Sequence, residues 1–271
     1  MKGLLVFAGL LLVASGAAYG FSDNFDSYQT GPLNVVSGGV WRTWGGTSTD
    51  AQVVTGGLSQ PNAMEIGEYE PDVVTYWPNL FGGGGGAGRF SFDFLVHEEL
   101  EKDMDTYVFA GSGNPADNSI DYGSSIGIFI LDWWTDSPGF TKLHIWDVAG
   151  PGGGGDYGVL ELGTNLALNT WHHVDLLAAL TVPDPTSNNP ADADGFFDVF
   201  LNGNRVAANV PFGLDNPMGW NATEIYGFKD DEIDRDYMLI DNVDAVPEPG
   251  SLLALGTGLL SLAGLAIRRR K

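Results

Sequence analysis

The chain has 271 residues, 35 acidic side chains against 12 basic ones, and no cysteine. That acidic balance repels nucleic acid and anionic lipid, so neither is an expected partner of the folded body. Without cysteine, thiol catalysis, Cys-ligated zinc and iron–sulfur chemistry are excluded, while eight Trp, nine Tyr and fifteen Phe suffice for a core without disulfides.

The N-terminus reads as a secretory signal over residues 1–20. Lys2 gives a positive start, Gly3 to Val13 an apolar stretch, and Ser15 to Ala18 the small residues a signal peptidase needs. Cleavage is expected after Ala18 or Gly20. The body, residues 21–245, follows as short apolar pieces between glycines. Ala51–Leu58, Asn62–Glu68 and the β-branched, aromatic Asp72–Trp77 read as strands. The glycine run 82–86 lacks the Gly-Lys-Ser/Thr ending of a phosphate loop and reads as a connection. After it, Phe90, Phe92, Phe94 and Val96 alternate with other residues, the period of a half-buried strand.

Glu98–Asp105 is a charge run, expected as a solvated loop or single helical turn. Tyr107–Gly111 resumes a strand, Asn114–Gly123 is expected as a loop, and Ser125–Trp134 and Lys142–Ala149 read as paired strands. Phe196–Leu201 and Arg205–Val210 flank Asn202-Gly203, the strongest hairpin signal in the chain. Glu224–Phe228 and Tyr237–Val243 close the body. No helix of ordinary length is expected there. Short strands with glycine turns and no alternating helices predict an all-β fold, a β-sandwich of jelly-roll type.

Residues 246–271 form a third segment. Pro247-Glu248-Pro249 cannot continue a helix and holds the preceding chain extended. Ser251 to Ile267 is apolar and uncharged, at the short limit for a membrane-spanning helix. Arg268, Arg269, Arg270 and Lys271 form a basic stop suited to staying cytoplasmic while the rest is exported. This order resembles the PEP-CTERM sorting signal of exported bacterial proteins. The resemblance implies an exosortase partner, a membrane transpeptidase that removes the tail, and a Gram-negative host with an extracellular polysaccharide matrix. The mature protein would then lie at the cell surface or outside it. Five basic residues lie in the two terminal segments, which leaves seven against 35 acidic ones between Asp23 and Glu248.

A second resemblance rests on Asn24-Phe25-Asp26-Ser27-Tyr28, on Trp171-His172-His173-Val174 with Phe197 to Gly203, and on Leu239-Ile240-Asp241-Asn242-Val243. Together they resemble concanavalin A/laminin G-like jelly rolls, a class that holds lectins, carbohydrate-binding modules and glucanases. Laminarinase-type glucanases of this class carry Glu-x-Asp-x-Glu or Glu-x-Asp-x-x-Glu on a strand. Here Glu65 and Glu70 fit the ends of the longer form, but Gly67 stands at the middle acid. On an unbulged strand the two also face opposite ways. Surface acids are the preferred reading.

Other chemistry is sparse. His172 and His173 are adjacent, so on a strand they cannot share a metal. Asp192 and Asp194 offer the oxygen ligands Ca²⁺ prefers, but without the downstream acid of an EF-hand, and an Asx-rich turn is the preferred reading. Trp133, Trp134 and Trp146 are candidates for stacking a sugar ring, as are Trp41 and Trp44, against a core role for most of them. The resulting expectation is an exported, non-enzymatic β-sandwich that contacts carbohydrate. A secreted glycoside hydrolase or lyase of the same fold, and a purely adhesive surface protein, are the alternatives.

Overall fold

The computed structural model describes residues 20–46, 48–59, 61–67, 71–77, 86–97, 104–131, 140–147, 158–180, 195–211, 221–229 and 237–247. They form sixteen strands. In chain order these are β1 (Phe21–Asp23), β2 (Gly31–Pro32), β3 (Trp41–Thr43), β4 (Gln52–Thr55), β5 (Asn62–Ile66), β6 (Asp72–Tyr76), β7 (Gly86–His97) and β8 (Met104–Asn114). Then come β9 (Ser119–Leu131), β10 (Phe140–Asp147), β11 (Gly158–Ala167), β12 (Trp171–Leu180), β13 (Gly195–Leu201), β14 (Asn204–Pro211), β15 (Ala222–Lys229) and β16 (Tyr237–Pro247). Among the described residues, helix is confined to the turn Leu33–Val36 and a 3₁₀ turn at Trp44–Gly46.

The strands make two antiparallel sheets. A nine-stranded sheet runs β14-β13-β12-β7-β16-β5-β4-β2, with β1 also paired to β16. A seven-stranded sheet runs β11-β10-β9-β8-β15-β6-β3. One apolar core joins them: Phe90, Phe92, Phe94, Val174, Leu176 and Ile240 come from the first sheet, and Trp41, Val73, Val108 and Ile225 from the second. This is the all-β sandwich that the alternation of Phe90, Phe92 and Phe94 predicts. All three rings are fully buried. Burying each contributes about 1.5–3 kcal/mol.

One local prediction is met in detail. Asn202 and Gly203 both take positive φ, 50° and 76°, as a two-residue hairpin between β13 and β14 requires. Asn202 also ties the hairpin to β12. Its N–H donates to the His173 carbonyl (2.8 Å), its Oδ1 accepts from the His173 N–H (2.9 Å), and its Nδ2 lies 3.1 Å from His172 Nδ1. The spacing of the Trp-His-His and Asn-Gly motifs thus reports one contact between neighbouring strands.

Three boundaries differ from the sequence reading. Asn114–Gly123 is not a loop. Only Pro115–Asn118 turn, with Asn118 at φ 49°, and Ser119 already belongs to β9. The turn is tight because Asn114 Oδ1 accepts from the Ala116 N–H, an Asx turn that needs few residues. The strand expected at Glu224–Phe228 begins two residues earlier, at Ala222. β16 does not stop at Val243 but continues through Pro247. A register shift between Asp241 and Asp244, with Asn242 at φ 49°, lets it continue against β7. Residues 98–103 of the charge run, the signal segment up to residue 19 and the tail from 248 lie outside the described residues.

Candidate functional site

Polar and aromatic side chains gather on the face of the seven-stranded sheet turned away from the core. In β8, Val108 and Ala110 enter the core, so Tyr107 and Phe109 face outward. In β15 Ile225 enters the core, so Ala222, Glu224 and Tyr226 face outward. In β6, Val73 enters the core while Asp72, Val74 and Tyr76 face outward. Directly paired residues fall on one side of a sheet. The ladder therefore places a row across three strands: Tyr107 opposite Tyr226, and Tyr226 opposite Asp72.

Tyr107 and Tyr226 make this row aromatic. The Tyr107 and Tyr226 rings stack 5.7 Å apart at 29°, and Tyr107 stacks on Phe109 at 6.4 Å and 7°. Both tyrosines are half-buried, and Phe109 is buried. The β8–β9 hairpin tip packs against one side. Tyr76 donates its hydroxyl to the Asn114 carbonyl (3.2 Å) or the Ser119 carbonyl (3.3 Å), and Arg42 reaches the Pro115 carbonyl and Asn118 Oδ1, both at 3.3 Å. Arg42 also lies 5.8 Å over the Tyr76 ring. Burial, partly offset by Arg42, pushes the Tyr76 hydroxyl up to about 12, so it stays protonated. Gly113 leaves room for this packing, since a Cβ there would come within 2.3 Å of Ala222 Cβ and 2.6 Å of Tyr76 Cε1.

Asp72 ends the row. Burial pushes its carboxyl up to about 7, and its Oδ1 meets no hydrogen-bond partner among the described residues. A carboxyl poised near neutrality in this aromatic row can both give and take a proton at physiological pH. Glu224 is fully buried next along β15, opposite Val74 and Phe109.

The outer face of the nine-stranded sheet carries a second polar group. His173 Nδ1 lies 2.7 Å from Asp93 Oδ1, and its Nε2 lies 3.2 Å from Asp175 Oδ1. Arg89 pairs with Asp175 (2.5 Å), and Asn242 Nδ2 donates to Asp93 Oδ2 (2.8 Å). Hydrogen bonds that the His173 ring donates to Asp175 and then Asp93 raise it to about 9. Burial works against ionisation of Asp175, but His173 and Arg89 hold its carboxyl below the usual range. Each acid here already has its cation, and the group ties β7, β12 and β16 together. This contribution is complete below pH ~6.5, the ordinary histidine value, and is lost as pH rises through about 9. Thermal melting should fall across that window, and His173→Gln should flatten the fall. Melting curves at pH 6, 7.5 and 9 test it.

The sequence candidates are distributed as follows. Glu65 lies on β5 opposite Gln52 and Leu239, on the other sheet from the aromatic row, and Glu70 lies outside the described residues. The pair is therefore not brought together in what is described. Trp133, Trp134, Asp192 and Asp194 also lie outside it. Trp146 is on β10 opposite Gly127 and Val159. Trp41 is core, with Nε1 donating to Asp23 Oδ2 (2.9 Å), whereas Trp44 is half-buried against the Phe109–Ile120–Ala222 cluster. His172 and His173 do face opposite ways. His172 is buried with Nε2 3.0 Å from the Ala167 carbonyl. Sequence reasoning missed Tyr107, Tyr226 and Asp72, whose only signal is strand register.

Residues 245–271 match the PEP-CTERM protein-sorting motif. The chain thus carries the export-sorting signal that an exosortase reads. No curated protein matches the chain. Among solved structures it is similar to a mutant of the alginate lyase Aly36B in complex with an alginate trisaccharide. The identity is 13% and the TM-score 0.54, over 84% of this chain and 98% of that one. It is also similar to the T. cruzi calreticulin globular domain, at 11% identity and TM-score 0.50 over 87% and 90%. An endo-β-1,4-glucuronan lyase from the fungus Trichoderma reesei follows at 11% and 0.48, over 84% and 95%. The first two likenesses show the fold, a jelly-roll-like β-sandwich. They also correct the expectation of a non-enzymatic body, because an alginate lyase uses this sandwich. Gly67 bears only on the paired-carboxylate glucanase arrangement, and that arrangement is not the only chemistry the fold carries.

Proposed function

We propose that this protein is an exported enzyme, delivered to the cell surface through its PEP-CTERM tail, that cleaves an extracellular polysaccharide. The glycan lies across the outer face of the seven-stranded sheet. One observation carries the reading: the cross-strand row that sets stacked Tyr107 and Tyr226 beside Asp72, a carboxyl held near neutrality. Tyrosine rings stack on the apolar faces of sugars while their hydroxyls bond to sugar oxygens. Asp72 then exchanges the proton that breaking a glycosidic bond requires, either with the leaving oxygen or with a ring carbon beside a carboxylate.

The strongly acidic surface slows the approach of anionic glycans at low salt, and screening relieves that repulsion. The test is therefore run at physiological ionic strength with the purified body and a panel of neutral and uronate polysaccharides. New reducing ends are expected. Ultraviolet absorbance from an unsaturated product would identify elimination, and its absence hydrolysis. Tyr226→Ala should lower turnover, while Glu65→Gln, on the other sheet, should leave it unchanged. No cleavage of any glycan in the panel would overturn the proposal.

A further inference from the structure

The sorting motif leaves the folded body with no linker. β16 lies inside the nine-stranded sheet, and its last residues are still in the ladder: Ala245 opposite Phe90, Val246 opposite Arg89 and Pro247 opposite Gly88. Pro247 is the first residue of Pro-Glu-Pro. On its other edge the same segment is clamped by β1, with Phe21 opposite Ala245, Ser22 opposite Asp244 and Asp23 opposite Val243. Val243 and Ala245 are fully buried. Gly20 closes the corner so tightly that a Cβ there would lie 2.5 Å from Val246 Cγ1 and 2.7 Å from the Ala245 carbonyl oxygen.

A transpeptidase must take its substrate strand into its own cleft. Backbone already in the ladder, on both edges as far as Ala245 and against β7 through Pro247, cannot enter a second partner without leaving the first. The end of the signal segment meets the same corner, since Gly20 packs on Val246. Gly20, which follows the signal segment, and Val246, which opens the tail, therefore meet at one corner of the body. We propose that completed folding holds the start of the sorting motif, through Pro247, in the sheet, so the exosortase acts on this chain before β1 and the end of β16 have zipped together. Sorting is then timed by folding, and β1 is the closing element. This rests on the motif match and the strand register, not on the glycan reading.

The test uses the full chain in a bacterial host with an inducible exosortase, following removal of the tail by mass spectrometry of the C-terminus. One arm expresses the exosortase throughout, and the other induces it after the protein has folded. Each is run on the native chain and on a variant with about ten Gly/Ser residues inserted between Val246 and Pro247, enough for a flexible spacer. The native chain should lose its tail when the enzyme is present from the start and at least about tenfold more slowly when it arrives late. The spacer variant should be processed equally in both arms. A native chain processed at the same rate in both arms overturns the proposal. So does a spacer variant as slow as the native chain in the late arm.

Discussion

Asp72→Asn lowers polysaccharide cleavage by about 10²–10⁴-fold, the usual contribution of a positioned proton-transfer group. The same change leaves the fold intact, because asparagine matches the carboxyl in shape and Asp72 Oδ1 has no hydrogen-bond partner to lose among the described residues. Stability changes in a way that identifies the group. Burial raises the folded carboxyl from 3.8 to about 7, so the folded state holds the proton more tightly than the unfolded chain. The stabilisation is therefore complete below pH ~4 and is lost as pH rises through about 7. Asp72→Asn removes that slope, and its melting temperature should vary less with pH over the interval. On the proposed reading, one limb of the native protein's pH–rate profile should fall near 7. If Asp72→Asn cleaves at the native rate, Asp72 is not the proton-transfer group.

The row shows what a single sequence conceals. Asp72, Tyr107 and Tyr226 lie on three strands far apart in the chain, and nothing local marks any of them. Their meeting is a consequence of two strand registers, β15 with β6 and β15 with β8. A one-residue slip in either would send Tyr226 to the core side. Where information is local, the chain is legible. Phe90, Phe92 and Phe94 declare a strand and its buried face. Asn202-Gly203 declares a hairpin because few other residues tolerate two successive positive φ values. Pro247-Glu248-Pro249 with its apolar run and basic end declares a sorting tail. The Glu65–Glu70 pair misleads for the converse reason: local spacing suggests chemistry that a long-range partner would have to complete, and none of the row lies on that sheet.

Asp23 carries the largest expected effect on stability. Its carboxyl is nearly buried and receives three donors: the Phe25 N–H at 2.9 Å, the Tyr28 hydroxyl at 2.7 Å and the Trp41 indole N–H at 2.9 Å. Asp23 ends β1 in the nine-stranded sheet, whereas Trp41 begins β3 in the seven-stranded one. One side chain thus ties the two layers. It also holds Phe25 at φ 59°, a conformation that costs a non-glycine residue about 1–3 kcal/mol and needs a fixed partner to persist. The Phe25 and Trp41 rings pack 5.8 Å apart inside the core that this turn positions. Burial, together with Asp23, keeps the Tyr28 hydroxyl protonated well above its ordinary range, so it remains a donor throughout the useful pH span. Asp23→Ala leaves these donors without an acceptor and should cost about 3–5 kcal/mol in urea unfolding, the range for breaking a buried charged group's partnerships. Asp23→Asn keeps one acceptor oxygen and should cost less than half as much. Because Asp23 also faces Val243 across the ladder, Asp23→Ala should expose the end of β16 to proteolysis before the rest of the sheet opens. A loss below about 1 kcal/mol in Asp23→Ala would show that the two sheets are held by the apolar core alone.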